Sequence, residues 1–150
     1  MNQCIHKMNR LLLFFFITLT FLYCKPTSKV NISTTLENTK WKLSEMNGIP
    51  IITPENTEDV HFVLTAEKGE YKIQGFAGCN RIMGGYERTG DHIKFMLAST
   101  MMMCQGEQME IEDFFTRALT ATDSYKLDGE ILTLFERDTS LAVFKAIKIE

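Results

Sequence analysis

Short runs in which apolar and polar residues alternate fill most of the chain beyond residue 40. Alternation with a period of two is typical of strands that bury one face. Turn residues separate the runs, and the dipeptides Asn47-Gly48 and Asp128-Gly129 favour tight connections. The runs cover residues 40–46, 60–65, 71–76, 86–88, 92–95, 124–127, 131–135 and 141–147. Their order predicts an antiparallel meander of about seven or eight short strands.

One stretch, between Glu107 and Thr122, has the period of an amphipathic helix. Its apolar residues recur at intervals of three and four and share one face: Ile111, Phe114, Phe115, Ala118 and Leu119. The acidic residues of its first turns suit the positive end of the helix dipole, and we expect them to be solvated: Glu107, Glu110, Glu112 and Asp113. A single helix among many strands predicts an α+β fold, with a twisted antiparallel sheet wrapped around the helix.

The first 23 residues have the pattern of a signal peptide, with a short basic region followed by an apolar run over residues 11–23. As a helix, that run would cover about 20 Å of a hydrocarbon core about 30 Å thick, which is short for a permanent membrane span. Cys24 follows directly and resembles the cysteine of a lipobox, whose thiol is acylated and becomes the N-terminus. Tyr23 departs from the Gly, Ala or Ser usual before that cysteine. An uncleaved anchor and simple secretion are the alternatives.

A lipobox divides the chain into three parts. Residues 1–23 are a signal peptide of the lipoprotein type, residues 24–35 a flexible polar tether, and residues 36–148 one globular domain. Acyl chains on Cys24 would hold the protein on a membrane, so we expect a lipid-anchored protein of the cell envelope. Residue 25 is Lys rather than Asp, so the common inner-membrane retention signal is absent and the outer membrane is favoured over the inner one.

The formal net charge of −3 bears on the class of partner. Cleavage after residue 23 would remove Lys7 and Arg10 and no acidic residue, so the net charge of the mature chain would be more negative. An acidic domain argues against nucleic acid as a partner. The expected partners are the membrane, through the lipid, and an envelope protein, while a small-molecule ligand remains unknown.

The histidines do not form a credible catalytic group. His6 leaves with the signal peptide, His92 follows a turn, and His61 alternates with apolar neighbours, which predicts that it faces solvent. No His or Cys pair has zinc-ligand spacing, and no phosphate loop or dinucleotide fingerprint occurs. We therefore predict a protein that is not an enzyme, with no catalytic residue, no metal site and no cofactor.

Two cysteines and five methionines remain to be explained. Cys79 and Cys104 form an even pair, which favours a disulfide in an oxidising compartment, with two buried free thiols as the alternative. The methionines crowd into the segment around Cys104: Met96, Met101, Met102, Met103 and Met109. Core filling beside the cysteine pair is the favoured interpretation, because methionine adapts to irregular gaps. Cu(I) binding by the thioethers is the alternative.

Several short strings, in a fixed order between about Leu36 and Ile147, resemble the META domain, the HslJ-like heat-shock lipoprotein family. They are Trp41-Lys42-Leu43, Gly78-Cys79-Asn80, Gly85-Tyr86, Thr100-Met101-Met102-Met103-Cys104, Phe114-Phe115 and Leu132-Thr133-Leu134. The positions that match the family pattern are Trp41, Gly78, Cys79, Asn80, Gly85, Tyr86, Thr100, Met102 and Cys104. Met101 and Met103 depart from the basic and small residues often seen in that family.

The resemblance implies a small cracked β-barrel that encloses one helix. It also implies an envelope or secreted protein without established catalysis, linked to stress and antibiotic tolerance. We expect the matching positions to be structural, with Cys79 stapling a tight turn to Cys104 beside the helix; a binding surface is the alternative. The expected function is non-catalytic support of the envelope through protein interaction. An apolar-ligand carrier or a chaperone similar to secretin pilots is the alternative.

Overall fold

The computed structural model describes residues 34–53, 57–104 and 106–147. Within these ranges the chain forms nine strands and one helix. They are β1 (Lys40–Met46), β2 (Ile49–Pro50), β3 (His61–Glu67), β4 (Glu70–Phe76), β5 (Arg81–Thr89), β6 (His92–Ser99), α1 (Glu107–Ala121), β7 (Ser124–Asp128), β8 (Ile131–Glu136) and β9 (Thr139–Ile147). The predicted signal peptide, Cys24 and most of the predicted tether lie outside the described residues.

All strand pairs are antiparallel, and the sheet closes on itself because β1 pairs with both β3 and β9. Strand pairing around the barrel is shortest between β6 and β7, where a single residue pair, His92 and Ser124, is in register. The helix α1 connects these two strands and packs against β6, β8 and β9. The predicted α+β fold, a cracked barrel curled around one helix, is confirmed.

Aromatic side chains fill the space between the sheet and the helix. Phe62 and Phe144 meet edge to face with ring centroids 4.9 Å apart, and Phe115 from the helix packs on Phe144. Trp41 is fully buried, and its indole N–H donates to the carbonyl oxygen of Leu36 at 2.8 Å. Each such side chain contributes roughly 1.5–3 kcal/mol by burial, so a well-filled interior holds the barrel together.

Two expectations about the strands need correction. Strand β5 begins at Arg81, whereas the sequence pattern predicts a strand only over residues 86–88. The strand runs through Gly84 and Gly85, which carry no side chain and interrupt the alternating pattern. A Cβ atom at Gly84 would collide with the carbonyl oxygen of Met96 on β6, so the glycine permits a close approach of two backbones. His61 is buried rather than solvent-facing: β3 pairs on both sides there, with Lys42 of β1 and Phe76 of β4, and the ring of His61 bonds to the carbonyl oxygen of Asp59.

Candidate functional site

The turn between β4 and β5 carries the glycine, cysteine and asparagine of the central motif. Gly78 has φ +114°, which other residues rarely adopt. A Cβ atom at this position would lie 3.3 Å from the carbonyl oxygen of Gln108 in α1. The backbone N–H of Ala77 donates to the carbonyl oxygen of Asn80 at 2.9 Å and closes the turn. The turn therefore packs directly on the first turns of the helix.

Asn80 is the buried centre of a hydrogen-bond network that we call the clamp, formed by Asn80, Thr100, Met102 and Glu112, of which Asn80 and Glu112 are buried. Its amide nitrogen donates to Glu112 Oε1 at 2.9 Å and to the carbonyl oxygen of Met102 at 3.0 Å. Its amide oxygen accepts from the Thr100 hydroxyl at 2.8 Å and from the Met102 N–H at 2.7 Å. The Asn80 N–H also donates to Glu112 Oε2 at 2.7 Å. One side chain thus joins the turn, the helix and the segment after β6.

We call that segment, residues 100–104, the strap. It is attached at alternate positions: through the hydroxyl of Thr100, the backbone of Met102, and the disulfide between Cys104 and Cys79. The predicted disulfide is thus present, with its Cα atoms 6.0 Å apart. Met101 and Met103, at the intervening positions, are exposed.

Core filling is therefore the wrong interpretation for most of the methionine cluster. Met96 and Met102 are also exposed, and Met109 is half-buried. The strap lies outside the barrel after β6, so the side chains of Met101, Met102 and Met103 all face water rather than the core.

Glu112 is the member of the clamp that sequence reasoning missed, because it was assigned to a solvated helix start. It is buried, and its carboxylate accepts hydrogen bonds from both the side chain and the backbone of Asn80. The signal for its burial was present: Phe115 and Leu119 lie three and seven positions further on, so all three residues share the buried helix face. Both carboxylate oxygens are occupied, so Glu112 acts as a structural acceptor.

The other motif positions lie away from the clamp. Trp41 is in the core, and Gly85 lies beside the methyl group of Met96. Tyr86 is buried, and its hydroxyl donates to Glu37 Oε1 at 3.2 Å. Burial, together with the charge of Glu37, raises the pKa of Tyr86 far above its usual value, so the phenol stays protonated. The structure thus gathers the central and second motifs at one end of the barrel and leaves the remaining matches in its wall.

An apolar groove opens beside the clamp, and no local pattern in the sequence predicts it. Its volume is about 180 Å³. The first wall is formed by the residues that come directly after β2. The second is formed by the residues before β3 and by the end of β4, and the third by the start of α1. The lining residues are Ile51, Ile52, Thr53, Thr57, Glu58, Val60, Phe76, Gly78, Glu107, Gln108 and Ile111. Residues 54–56 lie outside the described residues.

The groove is apolar at its base and acidic at its rim. Ile52 is 86% exposed, although a side chain of this size is usually covered. Glu58 is held by Arg81 through two hydrogen bonds of 2.8 Å. Glu107 stands at the start of α1 and is exposed. This surface can accept an apolar side chain next to a cation.

Metal-ligating and titratable side chains are the other groups that could carry chemistry. Among the residues that the structure describes, no three His, Cys, Asp or Glu side chains lie together as metal ligands. The ring of His61 hydrogen-bonds to the carbonyl oxygen of Asp59 at 2.7 Å. Burial lowers the pKa of His61, and the positive charges of Lys40 and Arg81 lower it further.

In the same described ranges, no helix is long and apolar enough to cross a bilayer.

Residues 34–148 match the family model of the META domain, so the chain belongs to the META domain family. Solved structures are also similar to it, among them two NMR structures. One is the NMR structure of a protein from Burkholderia xenovorans, with 25% identity, a TM-score of 0.61, and coverage of 76% of this chain and 85% of that one. The other NMR structure has 23% identity, a TM-score of 0.57 and coverage of 75% and 94%, and shares the fold. No curated protein gives a significant match.

Proposed function

We propose that this protein is a non-catalytic lipoprotein of the cell envelope, anchored through acylated Cys24, whose META domain binds an apolar segment of another envelope protein in the groove. This interaction supports envelope integrity and tolerance of stress or antibiotics. The observation that carries the proposal is a small apolar groove with an exposed isoleucine at its edge, next to a filled interior. Exposed apolar surface of this kind favours association.

The size of the groove favours a protein partner over a lipid. Small-molecule pockets usually measure about 300–1,000 Å³, and a groove of about 180 Å³ is smaller than that range. It has room for one or two apolar side chains, which is how anchor residues at interfaces insert. The core aromatic residues leave little room for an acyl chain inside the barrel, so the carrier alternative has weaker support.

The charge at the rim narrows the chemistry of the partner. Glu107 is exposed at the start of α1, and Glu58 is already neutralised by Arg81. A partner segment with a basic residue beside its apolar anchor would pair with Glu107. Such rim pairs change association rate and specificity more than affinity.

Substitution at the groove tests this proposal. Ile52→Asp places a charge at the apolar edge, and because Ile52 is exposed its effect on folding stability should stay within about 0.5 kcal/mol. A deletion strain that expresses this variant should lose tolerance to heat and membrane-active drugs. Met83→Asp, at another exposed apolar position on β5 outside the groove, is the matched control and should restore tolerance. Full tolerance with Ile52→Asp would contradict the proposal.

The anchor needs a separate test. Wild-type protein grown with a labelled fatty acid should carry the label and lose the mass of residues 1–23, and Cys24→Ser should abolish both the label and the cleavage. A wild-type protein that stays in the membrane without label and at its full mass would instead indicate an uncleaved apolar anchor. Separation of inner from outer membranes on a density gradient then tests the expected outer-membrane location.

A further inference from the structure

Three consecutive methionine side chains stand in solvent on the strap. Met101 and Met103 are 98% and 94% exposed, and Met102 is 62% exposed. Burying a methionine side chain stabilises a fold, and these three side chains contribute none of that stabilisation while they stand in water. The hydrogen bonds of the strap use the backbone of Met102 and none of the three thioethers. These sulfur atoms neither pack in the core nor take part in the hydrogen bonds of the clamp.

We propose that the strap is a modification site at which hypochlorous acid oxidises Met101, Met102 and Met103 to methionine sulfoxide while the domain stays folded. In each step a sulfur lone pair attacks the chlorine of HOCl, and hydroxide leaves. Water then adds its oxygen to the chlorosulfonium sulfur, and chloride and protons are released. The net reaction converts one thioether and one HOCl to one sulfoxide and HCl. Sulfur loses two electrons, and the chlorine is reduced to chloride.

The attachments of the strap explain why oxidation should leave the fold intact. The strap is held by the Thr100 hydroxyl, the backbone of Met102 and the disulfide at Cys104. None of these bonds uses a thioether, and the added S=O groups would point into water. Oxidation of a buried methionine has the opposite effect, because it places a polar group in the core.

Met46 is the internal control that the chain supplies. It is 9% exposed and belongs to the core cluster. Met83 and Met96 are exposed by 51% and 55% and form an intermediate class. Because thioether oxidation follows access to solvent, we expect the strap to react first, these two next and Met46 last.

The site would be reversible, because methionine sulfoxide reductases return sulfoxide to thioether. A rigid strap with three accessible thioethers can therefore consume oxidant repeatedly without loss of the protein. This property depends on neither the groove nor its partner, so it stands or falls independently of the proposed function.

The test is oxidation of the purified full-length protein by limiting hypochlorite. Free thiols are alkylated first, a chelator suppresses metal-catalysed oxidation, and excess free methionine stops the reaction. Peptide mass spectrometry should then show at least about tenfold more sulfoxide at Met101–Met103 than at Met46. In denaturant the same ratio should fall to about one. Equal oxidation of Met46 in the folded protein would overturn the proposal.

The second readout is the fold itself. Trp41 emission and the urea midpoint should stay unchanged while the strap is oxidised, and a sulfoxide reductase should restore the original mass. The triple variant Met101→Leu, Met102→Leu and Met103→Leu keeps the backbone attachments, and among the methionines that the structure describes it should form sulfoxide only at the less exposed positions 46, 83, 96 and 109. A midpoint that falls in step with strap oxidation would refute the claim that the domain tolerates it.

Discussion

Replacing Asn80 by alanine deletes the buried amide that holds the clamp together and leaves its main partners, Glu112, Thr100 and Met102, without those bonds. The Glu112 carboxylate loses an amide donor at 2.9 Å, and a hydrogen bond to a charged group is worth about 1.5–3 kcal/mol. The Thr100 hydroxyl and the two backbone groups of Met102 lose neutral bonds worth about 0.5–1.5 kcal/mol each, but water reaches the strap and replaces part of them. We therefore expect Asn80→Ala to destabilise the domain by about 3–5 kcal/mol, a large share of the 5–15 kcal/mol typical of domains.

Urea unfolding followed by Trp41 emission measures this loss, because Trp41 is the only tryptophan and is fully buried. With a denaturant slope of about 2 kcal/mol per molar urea, a loss of 4 kcal/mol lowers the midpoint by about 2 M. Thr133→Ala on β8, outside the clamp, is the control substitution. A midpoint shift below about 0.5 M for Asn80→Ala would show that water replaces the clamp almost completely, and would refute the reasoning.

Asn80→Asp sharpens the same test through pH. The new carboxylate would stand where the amide nitrogen now lies, next to Glu112, and two adjacent carboxylates repel each other. The pair would share a proton in the folded state, so its folded pKa is raised. The folded state of this variant is therefore stabilised at low pH, and it loses that stabilisation as the pH rises. We expect Asn80→Asp to be less stable than Asn80→Ala at pH 7 and to recover near pH 5, whereas Asn80→Ala should show no such recovery.

Three further predictions concern the disulfide, a buried histidine and a close strand contact. Cys79→Ser with Cys104→Ser should lower stability by about 3.5 kcal/mol, and reductant should destabilise the wild type but not the variant. Burial lowers the pKa of His61 from 6.5, so the unfolded chain binds the proton more readily. Stability should therefore fall as the pH drops below about 6.5, and His61→Asn should flatten that part of the urea-midpoint profile. Gly84→Ala should cost at least about 2–3 kcal/mol in thermal unfolding, whereas Gly90→Ala, in an open turn, should cost less.

The periodic part of the fold could be predicted from the sequence. The pattern located β1 and α1 almost to the residue, because an alternating strand and an amphipathic helix each bury one regular face. Strand β5 was harder, since Gly84 and Gly85 carry no apolar side chain to mark the pattern. Their place is decided by contact with β6, which is distant information that a local pattern does not contain.

The clamp could be predicted only in part. Asn80 and the cysteine pair stood out through the family resemblance, and the disulfide followed from counting cysteines. The helix period places Glu112 on the buried face, but the bond of its carboxylate to Asn80, 32 positions earlier in the chain, has no local signal, and a carboxylate at a helix start is usually solvated. No local pattern in the sequence could predict the groove, because it forms where β2, the turn between β4 and β5, and α1 meet in the fold.

The alternation along the strap gives a physical reason for the spacing of the second motif. Positions 100, 102 and 104 attach to the domain, and positions 101 and 103 point outward. Position 102 contributes through its N–H and carbonyl oxygen, which every residue except proline possesses. We therefore expect Met102→Leu to keep full stability, whereas Met102→Pro removes the N–H bonded to Asn80 and should cost about 1–3 kcal/mol. If Met102→Leu proved as harmful as the proline variant, its side chain, and not its backbone, would be what the motif specifies.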